Sequence, residues 1–148
     1  MKKYIPYIIS LELFIACNLQ GNESTKTINL FQQPQIANKA ENYIGKYYKP
    51  GVSAQCAAFV GHIVSACGYN VPQNHAKCTS WTRWGRTVNI SSLKRGDIII
   101  YSRNSSGYNH IGIYDGSGHI IHRPTRSSPV RKLNYRYRSI ISIRRPSR

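Results

Sequence analysis

Three residues have the types and spacing for covalent chemistry: Cys56, His110 and His122. Cys56 opens a helical pattern from about Gln55 to Cys67, with an apolar stripe of Cys56, Phe59, Val60, Ile63, Val64 and Cys67, and the pattern stops at Gly68. The first N–H groups of a helix have no partner inside it, and the helix dipole favours an anion there. A thiolate is stabilised at such a position, and the thiolate is the reactive form of cysteine. The competing reading is a small hydrophobe on a helix stripe, the commoner fate of a cysteine. The histidines argue for chemistry. They flank Gly116-Ser117-Gly118, a hairpin signal. With the turn centred near Gly116, Gly112 faces Ile120 and His110 faces His122, while Ile111, Ile113 and Ile121 point to the other face. If one ring takes the Cys56 proton, the other can fix its tautomer, which is the nucleophile, base and orienting-group logic of covalent catalysis.

The surrounding pattern supplies the elements that must position these groups. Ile36 to Tyr47 reads as a helix with Ile36, Ala40, Tyr43, Ile44 and Tyr47 on one side, and Pro50-Gly51 breaks it. Asn70 to Ser92 is loop-like and carries Trp81 and Trp84. Beyond it the period becomes that of strands: Asp97 to Tyr101, His110 to Asp115, His119 to His122, Val130 to Leu133 and Ser139 to Ile143. Helices followed by antiparallel strands make an α+β domain.

The motifs succeed one another in a recognisable order. Gln55-Cys56-Ala57-Ala58-Phe59-Val60 opens the helix. Then come Leu93-Lys94-Arg95-Gly96-Asp97-Ile98-Ile99-Ile100-Tyr101, His110-Ile111-Gly112-Ile113-Tyr114, and Ile120-Ile121-His122. This succession resembles the NlpC-type cell-wall cysteine peptidases, and the resemblance runs from about Ile36 to Pro146. It implies a papain-like fold, with N-terminal helices packed on an antiparallel sheet. It implies hydrolysis of stem-peptide bonds in peptidoglycan without a cofactor, with Cys56 as the nucleophile, His110 as the base, His122 as the third polar member and a substrate-binding role for Tyr48. The residue before the nucleophile is Gln55, where the family usually has Asp. Related amidase effectors and CHAP-type amidases also have Gln there, so peptidoglycan amidase stands as an alternative to endopeptidase.

The N-terminus reads as a leader. Met1-Lys2-Lys3 precedes a mostly apolar run from Tyr4 to Ala16, too short to span a bilayer. Phe14-Ile15-Ala16-Cys17 resembles a lipoprotein box, which makes Cys17 the expected lipidation site and membrane anchor, with plain secretion as the alternative. Residues 1–17 are thus expected as a leader, 18–35 as a polar tether and 36–148 as the catalytic domain, exported to the periplasm or cell surface. Of the other cysteines, Cys67 and Cys78 could pair and leave Cys56 free. A zinc site of Cys67, His75 and Cys78 fits no common ligand spacing, so no metal is expected.

Charge is the extreme feature of the composition. The chain has 148 residues, with 21 Lys and Arg against 5 Asp and Glu, a net of +16. Only Asp97 and Asp115 lie beyond Cys56, which argues against a paired-carboxylate glycosidase. A surface of this charge attracts polyanions. From Arg123 to Arg148 there are nine basic residues, Arg144, Arg145 and Arg148 among them, interleaved with Tyr135 and Tyr137 and without an acid. Two partners suit it: the anionic polymer of the cell wall, or single-stranded nucleic acid bound by a non-catalytic module. An exported protein meets wall carboxylates and phosphates first, so the basic residues are expected to hold it on the wall, with no nucleic acid.

Overall fold

The computed structural model describes residues 25–147. The expected leader, and with it Cys17, lies outside the described residues.

Helix α1 spans Thr25–Glu41 and α2 spans Cys56–Ala66. Short 3-10 turns follow at Cys78–Arg83 and Ile90–Ser92. The strands are β1 (Arg86–Thr87), β2 (Ile98–Tyr101), β3 (His110–Tyr114), β4 (His119–His122), β5 (Arg131–Asn134) and β6 (Ile140–Arg145). They form one antiparallel sheet in the order β1-β6-β2-β3-β4-β5. The α+β expectation therefore holds, with all helical elements before the central strands.

Strand parity divides the core in two. Ile98, Ile100, Ile111, Ile113 and Ile121 meet Ile36, Ala37 and Ala40 of α1 and Phe59, Val60, Ile63 and Val64 of α2. On the opposite face Ile99, Tyr101, Ile120 and Ile143 cluster with Leu133, Tyr135 and Tyr137. Both faces of β2 are thus covered, which is why its four residues are apolar without alternation and fully buried.

Three boundaries differ from the sequence expectation. Residues 25–35, expected as tether, are helical, and Gln33 is part of the fold through a 2.6 Å bond from Nε2 to Asp97 Oδ1. Gly96, at φ +91°, permits this docking. A Cβ there would lie 1.9 Å from the Gln33 carbonyl oxygen. At its other end α1 stops at Glu41 rather than Tyr47, leaving Ile44 and Tyr47 exposed. The following segment docks on the entry to β5, with Gly45 N–H donating to Val130 O and Val130 N–H to Lys46 O. The two-residue strand β1, within the expected loop, pairs with Arg144 and Arg145 of β6.

The acids and several arginines hold the sheet together. Arg145 forms a two-pronged ion pair with Asp97, with both bonds at 2.7 Å and both side chains buried. Arg144 donates to the carbonyls of Trp84 and Gly85 and to Thr87 Oγ1. These two residues, grouped from the sequence with the wall-binding basic residues although the resemblance puts them on a closing strand, are internal ties that fasten β6 to the preceding loop. Geometry explains the difference, because a guanidinium supplies several fixed donors and buried loop carbonyls need partners.

Candidate active site

Cys56 is the first residue of α2, and Gln55 before it makes no side-chain cap. The first-turn donors are therefore left for another acceptor. The Gln55 amide instead donates to Ser53 O within the loop. That loop is conformationally strained: Lys49 and Ala54 have φ of +46° and +55°, values that side chains other than glycine's rarely adopt. Arg123 holds it in place. Its buried guanidinium donates to the carbonyls of Tyr48 at 3.2 Å, Lys49 at 2.8 Å and Val52 at 2.6 Å. An arginine from the end of β4 thus sets the entry to the helix that carries Cys56.

The hairpin brings the two histidines together, but in a different register from the one expected. Ile113 pairs with Ile121 and Tyr114 with Ile120. Continuing that ladder places His122 opposite Gly112 rather than His110. The cause is Asp115, whose buried Oδ1 accepts from the N–H groups of Ser117 and His119 and so spends residues 115–119 on the turn. A slip of two residues preserves side-chain parity. The rings therefore remain on one face and meet diagonally, with His110 Nε2 and His122 Nδ1 2.7 Å apart. Tyr137 packs beside both rings, its centroid 6.2 Å from that of His110 and 6.5 Å from that of His122.

Cys56 faces a second sulfur. Its Sγ is 3.5 Å from that of Cys78, at the start of the first 3-10 turn. The Cys67–Cys78 pairing considered from the sequence is not formed: Cys67 sits in the core at the end of α2, and Cys78 stands in the cleft beside Cys56. Nor do Cys67, His75 and Cys78 form a ligand set; among the described residues no three His, Cys, Asp or Glu are placed to hold a metal. The two sulfurs are electrostatically unequal. Hydrogen bonding from Cys78 above all, then from His110, His110's charge and the Ala57 N–H, pulls the Cys56 thiol down to about 4 against the opposing effect of burial. Cys78 is driven up by its bond to Cys56 and by desolvation. Cys56 is thus the thiolate, and Cys78 keeps its proton and donates.

His122 is held neutral. Burial, then the charges of His110 and Arg131, pushes it down to about 3. Once His110 has taken the thiol proton, both of its ring nitrogens carry hydrogen. His110 Nε2 must then donate and His122 Nδ1 accept, which puts the His122 hydrogen on Nε2, a buried atom without a partner. With Nε2 committed to His122, Nδ1 is the His110 nitrogen left for the thiol. Such an arrangement has the parts that covalent catalysis needs: a thiolate, a ring able to carry its proton and a neutral ring to orient that one.

Alkylation tests the electrostatics. The thiolate is lost only as pH falls through the lowered value, so Cys56 should react with iodoacetamide at an almost constant rate above pH 5 and lose reactivity around pH 4. A rate that rises only near the free-thiol value of about 8.5 would contradict an activated Cys56.

Cys56, Cys78 and His110 line one cleft of about 810 Å³. Lys77, Arg103, Arg123, Arg126 and Arg138 also line it, and among the described residues no acid does. The described acids are engaged elsewhere: Glu41 with Arg95, Asp97 with Arg145, and Asp115 with Lys132. Part of the basic surplus therefore lines the cleft that holds Cys56. Sequence reasoning missed this, along with Cys78 and the role of Arg123, because no local pattern marks them. Tyr48 stands apart from the cleft. Its ring packs on Phe59 and His62, and its hydroxyl donates to Ala58 O.

Comparison with known proteins agrees with this geometry. Residues 42–143 match the model of the NlpC/P60 family. A probable endopeptidase NlpC homolog of Haemophilus influenzae is 28% identical over 61% of this chain and 48% of its own length. The gamma-D-glutamyl-L-lysine dipeptidyl-peptidase of Bacillus subtilis is 26% identical over 54% of this chain and 27% of its own. The chain thus spans about half, or less, of the length of these curated relatives. Among solved structures, the peptidoglycan hydrolase RipB of Mycobacterium tuberculosis superposes with a TM-score of 0.66 at 17% identity, covering 92% of this chain and 77% of that one. NlpC2 of Trichomonas vaginalis gives 0.66 at 22% identity, over 77% of this chain and 46% of its own. These likenesses support the papain-like fold. With its Cys-bearing helix, paired hairpin histidines and a family match over most of its length, the chain belongs to the NlpC/P60 family.

Proposed function

We propose that the protein is a peptidoglycan hydrolase that cuts stem-peptide bonds by a Cys-His-His thiol mechanism. The observation that carries this reading is the position of Cys56 at an uncapped helix N-terminus, in one cleft with a His110 ring that is itself bonded to His122. The Cys56 thiolate attacks the scissile carbonyl, and the backbone donors of the first turn receive the charge that develops on its oxygen. His110 passes its proton to the departing amine. It then takes a proton from water, which hydrolyses the thioester and frees Cys56. His122 keeps the His110 ring in plane throughout and carries no net charge itself.

The relatives named as a probable endopeptidase and as a gamma-D-glutamyl-L-lysine dipeptidyl-peptidase support cleavage within the stem peptide. Mass spectrometry of the soluble material released from purified sacculi tests it. Fragments cut within the stem peptide are the expected product. Intact stem peptides freed from the glycan would make the protein an amidase, the alternative that Gln55 raises. The rival reading, a nucleic-acid module, needs stacking aromatics. Tyr135 and Tyr137 are instead half-buried and packed against Tyr114 and Tyr101 respectively, which favours the wall.

The cationic lining makes a kinetic prediction. Arg103 and Arg126 are exposed residues of the cleft. An exposed ion pair contributes about 0.2–1 kcal/mol, so Arg103→Gln with Arg126→Gln should raise KM for a soluble anionic stem peptide about fivefold. The kcat should change less than twofold, because neither side chain touches the reacting atoms. Raising salt should mimic the double variant. An unchanged KM in both tests would confine the basic residues to retention on the wall.

A further inference from the structure

The mechanism uses one thiol, yet the cleft holds two. Cys56 Sγ and Cys78 Sγ stand 3.5 Å apart, each half-exposed, on two segments far apart in sequence. A disulfide needs roughly 2.05 Å between sulfurs. Cys78 follows a short turn in which Lys77 N–H bonds to Asn74 O, with Ala76 and Lys77 exposed, so only a small loop must move to bring the sulfurs together. The direction of reactivity is also set. Cys56 carries the charge and Cys78 keeps the proton. Oxidants attack thiolates first.

We propose that Cys78 is a resolving thiol, and that peroxide converts the cleft reversibly to an inactive form closed by a Cys56–Cys78 disulfide. In the first step the Cys56 thiolate attacks one oxygen of hydrogen peroxide. The O–O bond breaks, and hydroxide leaves and takes a proton to become water. Sulfur is oxidised to the sulfenic acid, Cys56–SOH, and peroxide is reduced. The negative charge that kept Cys78 protonated has then gone. In the second step Cys78 gives up its proton and its sulfur attacks the Cys56 sulfur. The S–O bond breaks, and the departing hydroxide leaves as water with that proton. One peroxide, one thiolate, one thiol and one proton become one disulfide and two waters. A dithiol reverses the change by exchange, passing two electrons and two protons back. The disulfide blocks hydrolysis because it occupies the nucleophilic sulfur. It also protects that sulfur from the sulfinic and sulfonic states, which dithiols do not reduce.

The consequence for hydrolysis rests on the proposed role of Cys56, whereas the bond itself is read directly by mass. The full chain is treated with hydrogen peroxide, its remaining thiols are alkylated, and it is digested without reduction. The expected result is a peptide joining Cys56 to Cys78 that disappears on treatment with dithiothreitol. Sacculus hydrolysis should fall with the linked fraction and return after dithiothreitol. In Cys78→Ser, Cys56 should instead gain two or three oxygens, and the activity recovered should be about tenfold lower than in the parent. A linked peptide without hydrolysis in any state would leave the resolving pair intact and remove only the hydrolase reading. The inference is overturned if the parent accumulates those oxygens on Cys56 without the linked peptide. It is equally overturned if Cys56 is joined to Cys17 or Cys67 instead, or if Cys78→Ser recovers as fully as the parent.

Discussion

Cys56→Ala should lower the release of stem-peptide fragments from sacculi by about four orders of magnitude or more, because a covalent mechanism loses its nucleophile outright. His110→Ala should cost about two to four orders, the usual contribution of a positioned proton carrier. The structure ranks His122→Ala below both, at about ten- to a hundredfold, since His122 acts on the substrate only through His110. In the proposed mechanism His110 holds the thiol proton, both of its nitrogens then carry hydrogen, and His122 is not needed to choose a tautomer. It is needed to hold the ring through a 2.7 Å bond, and water can replace part of that. Fragment release from sacculi, with circular dichroism to check folding, measures all three. More than a few per cent of activity in Cys56→Ala would rule out the thioester. A His122→Ala loss as deep as that of His110→Ala would show that ring orientation, not proton transfer, limits the reaction.

The largest effect on stability is expected far from the cleft. Asp97 is completely buried, and both carboxylate oxygens are in use. Oδ1 accepts from Arg145 and Gln33, and Oδ2 from Arg145 and the Lys94 N–H. Asp97→Ala would leave the Arg145 guanidinium buried with Ser92 O as its one remaining partner. Breaking a buried pair on one side costs about 3–5 kcal/mol, a large share of the 5–15 kcal/mol that holds a typical domain together. The urea midpoint of Asp97→Ala should fall accordingly. Replacing both members with apolar residues should cost less than Asp97→Ala alone, because no charge is then stranded. If the double variant is the less stable, the pair is worth more than its desolvation, and the site is a net contributor. Neutralising Arg144 and Arg145 to test wall binding would mainly report unfolding. The exposed Arg103 and Arg126 are the informative positions.

Local periodicity explains what was legible in the sequence. The stripe from Cys56 to Cys67, ending at Gly68, has a helix's period, and a cysteine at its first position faces unpaired N–H groups whatever the rest of the chain does. The alternation from His110 to Tyr114 and from Ile120 to His122 put both histidines on one face. That conclusion survived a register error of two residues because strand side chains repeat with a period of two. Only the tertiary structure could decide the rest, since each remaining feature joins segments with no common local pattern. The cysteine count could pair Cys78 only with Cys67, until folding set it 3.5 Å from Cys56 and left Cys67 in the core. Charge showed an excess of arginine but not its uses. Arg145 neutralises Asp97 across 48 positions, and Arg123 braces the loop before Cys56 across more than 70. Arg103 and Arg138 line the cleft that holds Cys56. Helix and strand are dictated by neighbours along the chain. The partner of a charge or a thiol is dictated by which segments close against one another, and that depends on the packing of the whole core.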